Sequence, residues 1–299
     1  MTHTHDGHAD VPKRYDKAFG LGIALNFGFV LVEVFYGWKV DSLALLADAG
    51  HNLSDVGGLI LAWAALAATR LQPNDRHTFG WRRGSILASF INAFVLLIAM
   101  GSLGWEAFQR LQAPVPIAGV TVMLVAGIGI LVNTITAWLF ISGSRNDLNL
   151  RGAFLHMSAD ALVSVGVLLA GALYQWKGWY WIDPVISLVI AVIIVVTTWS
   201  LFRKSLHLLF DGVPDQVNLP SIRQYLLSQP GITDIHDLHV WAMSTTEVAL
   251  TAHLVMASLP DSDQFLQDMA EELREHFEIT HCTLQLERDL GCSSGCSGL

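Results

Sequence analysis

Charge is scarce in this chain of 299 residues. Asp, Glu, Lys and Arg make up 14% of it, where a soluble domain carries about 25%. Hydrophobic residues make up 53%, and the mean hydropathy is +0.47. The composition is that of a membrane protein. Cysteine is nearly absent: Cys282, Cys292 and Cys296 are the only three. An odd number without a spacing framework argues against structural disulfides and for free thiols or metal ligands. Basic residues are lacking where nucleic acid would need them. Residues 211–299 hold 3 Lys/Arg against 14 Asp/Glu, while residues 1–210 hold 14 against 12. An acidic surface repels phosphate backbones, so no nucleic-acid partner is expected. The first sixteen residues contain no apolar run beside a small-residue cleavage site, so no cleavable leader is expected.

The shift in charge near Asp211 divides the chain. Residues 1–16 form a polar tail with His3, His5 and His8, either a loose metal collector or incidental histidines. Residues 17–210 form an apolar domain. Residues 211–289 form a small acidic domain, and 290–299 a Gly/Ser/Cys tail. The apolar domain contains six stretches long enough to cross about 30 Å of hydrocarbon as helices. They cover residues 18–38, 42–69, 85–111, 116–142, 150–174 and 180–201. Six spans put both ends on one side. With the ends inside, eleven Lys/Arg flank the inner side (Lys13, Arg14, Lys17, Arg70, Arg76, Arg82, Arg83, Arg145, Arg151, Arg203, Lys204) and three the outer (Lys39, Arg110, Lys177). That asymmetry places both termini and the acidic domain in the cytoplasm. Trp38, Trp105, Trp179 and Trp181 near span ends suit the interfacial belt.

After Asp211 the periodicity changes. Residues 217–228 read as a short helix, 233–243 and 247–256 as strands joined by a tight turn, 263–277 as an amphipathic helix, and 281–287 as a last strand. The order αββαβ predicts a small α+β domain with helices on one face of a sheet. The fold class is therefore an α-helical membrane protein of six spans followed by a cytoplasmic α+β domain.

The chemistry sits in two matching places. Ala47-Asp48-Ala49-Gly50-His51-Asn52-Leu53-Ser54-Asp55 puts a His and an Asp four residues apart in the second span. His156-Met157-Ser158-Ala159-Asp160 repeats the spacing in the fifth. Positions i and i+4 lie on one helix face. An isolated intramembrane histidine is more often a hydrogen-bonded packing residue. Two such pairs in separate spans instead offer two imidazoles and two carboxylates to one point, a tetrahedral ligand set for a borderline dication, zinc above all. The two carboxylates cancel the charge of the ion, and the two imidazoles select against magnesium and calcium. Metal binding needs neutral His and ionised Asp, so metal and proton compete for the same atoms. Glu33, Asn26, Asn92 and Asn133 are polar residues within spans and are expected to make interhelical hydrogen bonds.

Six spans, Asp48-Ala49-x-His51-x3-Asp55, His156-x3-Asp160, Phe79-Gly80, Asp183-Pro184 and His236-Asp237-Leu238-His239-Val240-Trp241 together resemble the cation diffusion facilitators over essentially the whole chain. The resemblance extends to the bacterial cobalt–zinc–cadmium resistance branch, which shares its ligand set with animal zinc transporters. It implies a homodimeric exporter of Zn²⁺ from the cytoplasm in exchange for H⁺, in the cell inner membrane, with a metallochaperone-like cytoplasmic domain. It implies a transport site at His51, Asp55, His156 and Asp160. It also implies a cytoplasmic regulatory zinc site drawn from His236, His253 and Glu287, with Cys292 and Cys296 matching paired cysteines that some relatives carry. Gln285 stands where some relatives have a His ligand. Asn74-Asp75-Arg76-His77 resembles a loop that binds a peripheral metal in some relatives, although Trp81 here replaces one ligand. Arg83 and Asp211 match an inter-subunit charge pair of a relative.

Three other readings compete. Two intramembrane histidines suit axial ligation of haem, which would leave the Asp one turn from each without a purpose. A membrane hydrolase would need a His-Glu-x-x-His helix and an open metal position, and the sequence has neither. A passive channel or sensor is compatible with the residues, but a closed four-ligand site suits alternating access better than rapid conduction.

Overall fold

The computed structural model describes residues 13–69, 73–113, 115–141, 148–260 and 263–288. The histidines of the N-terminal tail and the cysteines Cys292 and Cys296 lie outside the described residues. Six long helices come first: α1 (Lys13–Lys39), α2 (Leu43–Thr69), α3 (Gly84–Gln112), α4 (Gly119–Ile141), α5 (Leu148–Lys177) and α6 (Ile182–Leu209). A short helix α7 (Leu219–Leu227), strands β1 (Ile232–Ala242) and β2 (Val248–Met256), helix α8 (Gln264–Phe277) and strand β3 (His281–Glu287) follow. Among the described residues five helices, α1, α3, α4, α5 and α6, are long and apolar enough to cross a membrane. The remaining long helix, α2, has 27 residues and carries Asp48, His51, Asn52 and Asp55. α6 runs eight residues past the end of its apolar stretch, because Phe202 to Leu209 continue with good helix formers and no Gly or Pro.

The chain divides into two compact units, residues up to 60 with 92–199, and 61–91 with 200 onward. In the first, α4 packs along α5 and also against α1. The α4–α5 approach is close because both helices offer glycine. A Cβ on Gly119 would meet the Gly171 carbonyl oxygen at 3.1 Å, and one on Gly171 would meet that of Gly119 at 3.1 Å. A Cβ on Gly129 would meet the Phe29 ring of α1 at 2.5 Å and the Ser164 hydroxyl of α5 at 2.9 Å. Apolar contact at small residues is how helices associate where lipid removes the hydrophobic driving force. The outward faces carry exposed Leu124, Leu131, Trp138 and Val196, as lipid contact requires.

The start of α2 is held from α6. Asp183, 3% exposed, accepts a hydrogen bond from the Ser42 hydroxyl (2.6 Å) and one from the Leu43 backbone N–H (3.1 Å). Those groups open α2 and would otherwise lack an acceptor. The Asp-Pro motif is thereby explained: Pro184 lies in the first turn of α6, where its N–H would have no intrahelical partner, and Asp183 caps a different helix. Asp41 turns the chain between α1 and α2 in a left-handed conformation (φ 58°). Arg110 braces that turn, donating to the Asp41 carbonyl and carboxylate, each at 2.7 Å, and to Glu106.

In the second unit β1 and β2 pair antiparallel, and β3 pairs parallel to β2 in the order β1-β2-β3. A parallel return needs a crossover, which α8 supplies. α7 and α8 bury Ile222, Leu226, Met269 and Leu273 in one cluster with Ile235, Leu250 and Leu254 of the strands. Asn218 caps α7 by accepting from Ser221 N–H at 3.1 Å. The β1–β2 turn meets the start of α3: Thr245 N–H donates to Ser85 Oγ (3.2 Å), and Arg82 pairs with Glu247 (3.1 Å). Arg83 pairs with Asp211 within the one chain.

Removing the cap across helices gives a first test. Asp183→Ala leaves the Ser42 hydroxyl and the Leu43 N–H buried without acceptors, at about 1–3 kcal/mol each. The detergent-solubilised protein should unfold at a lower temperature, with Asp183→Asn retaining part of the loss. Tryptophan fluorescence on heating measures it, and an unchanged midpoint for Asp183→Ala contradicts the capping role.

Candidate metal centres

The i, i+4 spacing on α2 brings His51 and Asp55 to one face, with His51 Nε2 3.6 Å from Asp55 Oδ2. The same ring nitrogen lies 3.2 Å from Asp160 Oδ1 of α5. The three side chains place one ligand atom each within 4.8 Å of one another. Zinc ligands of N and O type stand about 2.0–2.1 Å from the ion, so tetrahedral neighbours are roughly 3.3–3.4 Å apart. The spacings of 3.2 and 3.6 Å fall around that value. Asp160 is 1% exposed, whereas His51 and Asp55 are partly open. The site therefore has a buried wall and an accessible one. The side chain of His156 is not among those described. Its position on α5, one turn before Asp160, is as the spacing predicts.

Around this cluster the polar residues of the spans find partners unevenly. Asn52 Nδ2 donates to Glu33 Oε2 at 2.9 Å, and Asn92 Nδ2 to Ser54 Oγ at 3.1 Å, as interhelical hydrogen bonds. Asn26 instead turns back on its own helix, to the Gly22 carbonyl at 2.9 Å, with the Met157 sulfur at 3.7 Å. Asn133 is fully buried, and neither of its side-chain polar atoms has a partner among the described residues.

The second cluster forms across the sheet. The register sets His236 of β1 opposite His253 of β2, and His253 opposite Gln285 of β3. The two imidazoles stand edge to face with centroids 5.0 Å apart. Glu287, two residues beyond Gln285, lies with Oε2 3.1 Å from His236 Nε2 and Oε1 3.0 Å from His253 Nδ1. His236, His253 and Glu287 are each partly buried, and together they can hold one metal ion. Gln285, where a ligand was in question, donates to Glu287 Oε1 at 2.7 Å and so orients that carboxylate.

Sequence reasoning did not single out Asp237. It sits in a β-bulge between His236 and His239 with φ 52°, and its Oδ2 lies 3.7 Å from His253 Nε2. The hydrogen bond with His239 (2.9 Å) is the main influence holding its carboxyl below the usual range. Bulges re-aim side chains at sites, but their place is set by pairing, and no residue type marks it here. Cys282 is half-buried, and burial pushes its thiol up, which disfavours the thiolate that metals bind. Of the loop 74–77, Asn74 Oδ1 accepts from the N–H groups of Arg76 and His77, and the His77 ring stacks on Trp81 at 4.4 Å.

Six long helices with a His/Asp cluster between two of them, followed by an α+β domain, define a class of metal-transporting membrane protein. Residues 21–210 match the cation efflux transmembrane domain, and residues 214–289 match the cation efflux protein cytoplasmic domain. The chain belongs to the cation efflux family. It is 35% identical over 283 residues to the metal cation efflux system protein CzcD of Cupriavidus metallidurans, covering 94% of this chain and 90% of the relative. It is 35% identical over 288 residues to the zinc transporter ZitB of Escherichia coli, covering 96% and 90%. It is 34% identical over 294 residues to a cadmium, cobalt and zinc/H(+)-K(+) antiporter of Bacillus subtilis, covering 97% and 93%.

The sheet cluster can be tested apart from transport. Gln285→Ala removes the partner that orients Glu287, and such changes typically weaken metal binding about 10–100-fold. Competition for zinc against a chromogenic chelator should show the weaker site in Gln285→Ala and its disappearance in His253→Ala. Zinc binding equal to the unaltered protein in His253→Ala would remove His253 from the ligand set.

Proposed function

We propose that the protein exports Zn²⁺ from the cytoplasm in exchange for H⁺, binding the metal at His51, Asp55, His156 and Asp160. The observation that carries this reading is His51 Nε2 lying between the carboxylates of Asp55 and Asp160, at 3.6 and 3.2 Å, with α2 and α5 each contributing. The donor set is that of zinc rather than of magnesium or calcium. The similarity to a zinc transporter and to a cadmium, cobalt and zinc/H(+)-K(+) antiporter supports both the cargo and the exchange. The protein is read as a secondary active transporter, with cadmium and cobalt as further candidate cargo. It works as a homodimer in the cell inner membrane, with both termini and the α+β domain in the cytoplasm, as the eleven-to-three distribution of Lys and Arg supports. His236, His253 and Glu287 serve as a regulatory zinc site, to which Cys292 and Cys296 are candidate additional ligands.

Exchange follows from competition for the same atoms. Zinc binds neutral imidazole and ionised carboxylate, so a fall in pH on one side displaces it there. The ion is held where pH is high and released where it is low. With protons entering as zinc leaves, the membrane proton gradient drives export.

Zinc uptake into inside-out vesicles tests this. Uptake should rise when the vesicle interior is made acidic relative to the bath. It should fall to the level of empty vesicles in Asp55→Ala and Asp160→Ala. A panel of zinc, cobalt, cadmium, iron and manganese ranks the cargo. Uptake indifferent to the pH gradient would sink the antiport, and full uptake in Asp160→Ala would sink the assigned site.

A further inference from the structure

One turn from the metal cluster, toward the start of α2 and the end of α1, lie two carboxyls that the metal chemistry does not use. Glu33 of α1 is 0% exposed and Asp48 of α2 is 1% exposed. Each has one oxygen tied to a neutral donor. Glu33 Oε2 accepts from Asn52 Nδ2 at 2.9 Å, and Asp48 Oδ2 accepts from the Ser164 hydroxyl at 3.3 Å. The other oxygen of each, Glu33 Oε1 and Asp48 Oδ1, is buried with no donor among the described residues. The two carboxyls are within hydrogen-bonding reach of each other. Two ionised carboxylates are acceptors only and cannot hydrogen-bond to one another, whereas a carboxyl and a carboxylate can.

We propose that Glu33 and Asp48 form a proton-binding pair, separate from the metal ligands, that holds one proton of the exchange between Glu33 Oε1 and Asp48 Oδ1. This deepens the antiport reading and rests on it for the proton's role in transport. The donors around the pair fit a proton and disfavour a metal. Asn52 turns its N–H toward Glu33, so its amide nitrogen would face an incoming cation. No imidazole or thiol is bonded to either carboxyl among the described residues. The charged and titratable groups around Glu33 are Asp48 from α2 and Asp160 from α5. Those around Asp48 are Glu33, His51 on its own helix, and Asp160. α4, which packs on α1, contributes no titratable residue.

The proton balance is simple. A proton enters from the side where zinc leaves and is held as O–H···O⁻ between the pair. It passes to the His51 and Asp160 side as the metal departs, and it leaves to the cytoplasm when the next zinc ion takes those ligands, while the pair binds the next proton. No other reactant is consumed.

Two measurements decide it. The first is infrared spectroscopy of the full-length protein in lipid at neutral pH, with glutamate carrying ¹³C in its side-chain carboxyl. A C=O stretch of a protonated carboxyl should be present, shift with the label, and vanish in Glu33→Gln. That variant keeps the Asn52 contact and the shape but cannot share the proton. The unaltered protein alone suffices here: a spectrum without a protonated glutamate overturns the pair, whatever the variant does. The second is zinc uptake into vesicles as a function of the pH gradient. Glu33→Gln and Asp48→Asn should each lose at least half of the gradient's stimulation. Full stimulation in folded Glu33→Gln overturns the role in exchange. If the unaltered protein shows no gradient response while the infrared band is present, the antiport reading fails and the proton site stands.

Discussion

The contact between His51 and Asp160 is the one on which the rest depends. Both side chains lie in helices of the transmembrane domain, and a lone carboxylate in hydrocarbon costs about 2.5–3.5 kcal/mol to insert. Neither helix can present its polar face to lipid. Each needs the other, and the 3.2 Å separation shows them meeting. Lipid supplies no hydrophobic force to drive α2 onto α5, so this polar match and the small residues nearby set where they touch. Removing either partner would leave the other stranded, which makes the pair a constraint on the fold as much as on the chemistry.

That constraint works only if α2 sits at the right height and rotation. A helix that slides by one residue turns its face by about 100°. The Asp183 cap on Ser42 and Leu43 fixes the beginning of α2 from α6, and the Asp41 turn braced by Arg110 fixes how it follows α1. Asp48, His51, Asn52 and Asp55 then occupy consecutive turns of one face. The Gly119–Gly171 approach does the same for α5 by locking it to α4. The Asp-Pro motif thus acts about two helical turns from His51, the nearest candidate metal ligand. Its role is placement rather than coordination.

Much of this was legible in the sequence, for identifiable reasons. The spacing of His51 and Asp55 encodes a shared face, because a helix has one period. The six apolar runs predict the six helices to within a few residues at most ends, because hydrocarbon thickness fixes their length. The hairpin register that brings His236 and His253 together follows from a short turn between two well-marked strands. What escaped depends on tertiary pairing. The Asp237 bulge appears only when two strands are laid side by side. The parallel return of β3 is decided by the path of α8. Arg83 and Asp211, which match an inter-subunit charge pair of a relative, pair with each other in the single chain, and sequence alone does not give that contact. Ser85 accepts a backbone N–H from the β1–β2 turn, a contact that no local pattern marks. Glu33 reads as a residue that makes an interhelical hydrogen bond, and its bond with Asn52 is present. Its second oxygen, buried without a donor among the described residues, could not be read from the sequence.

The layering of these groups bears on how one ion can drive another. The metal cluster and the carboxyl pair are about one helical turn apart, ~5.4 Å. Two unit charges at that distance interact by ~3 kcal/mol at an effective dielectric near 20. A dication feels twice that for each negative charge on the pair. Binding or losing a single proton there changes the pull on the metal by an amount on the order of several kcal/mol. Even a quarter of it is about tenfold in affinity. By linkage the metal alters proton affinity by the same factor. Coupling therefore does not require every proton to occupy a ligand that the metal must vacate. A neighbouring site of the right charge suffices, provided water and salt are kept from screening it. The burial of Glu33 and Asp48 meets that condition. In the proposed exchange, competition at the imidazoles makes the ions exclude each other. The proposed carboxyl pair lets the field of one reach the other before either has moved.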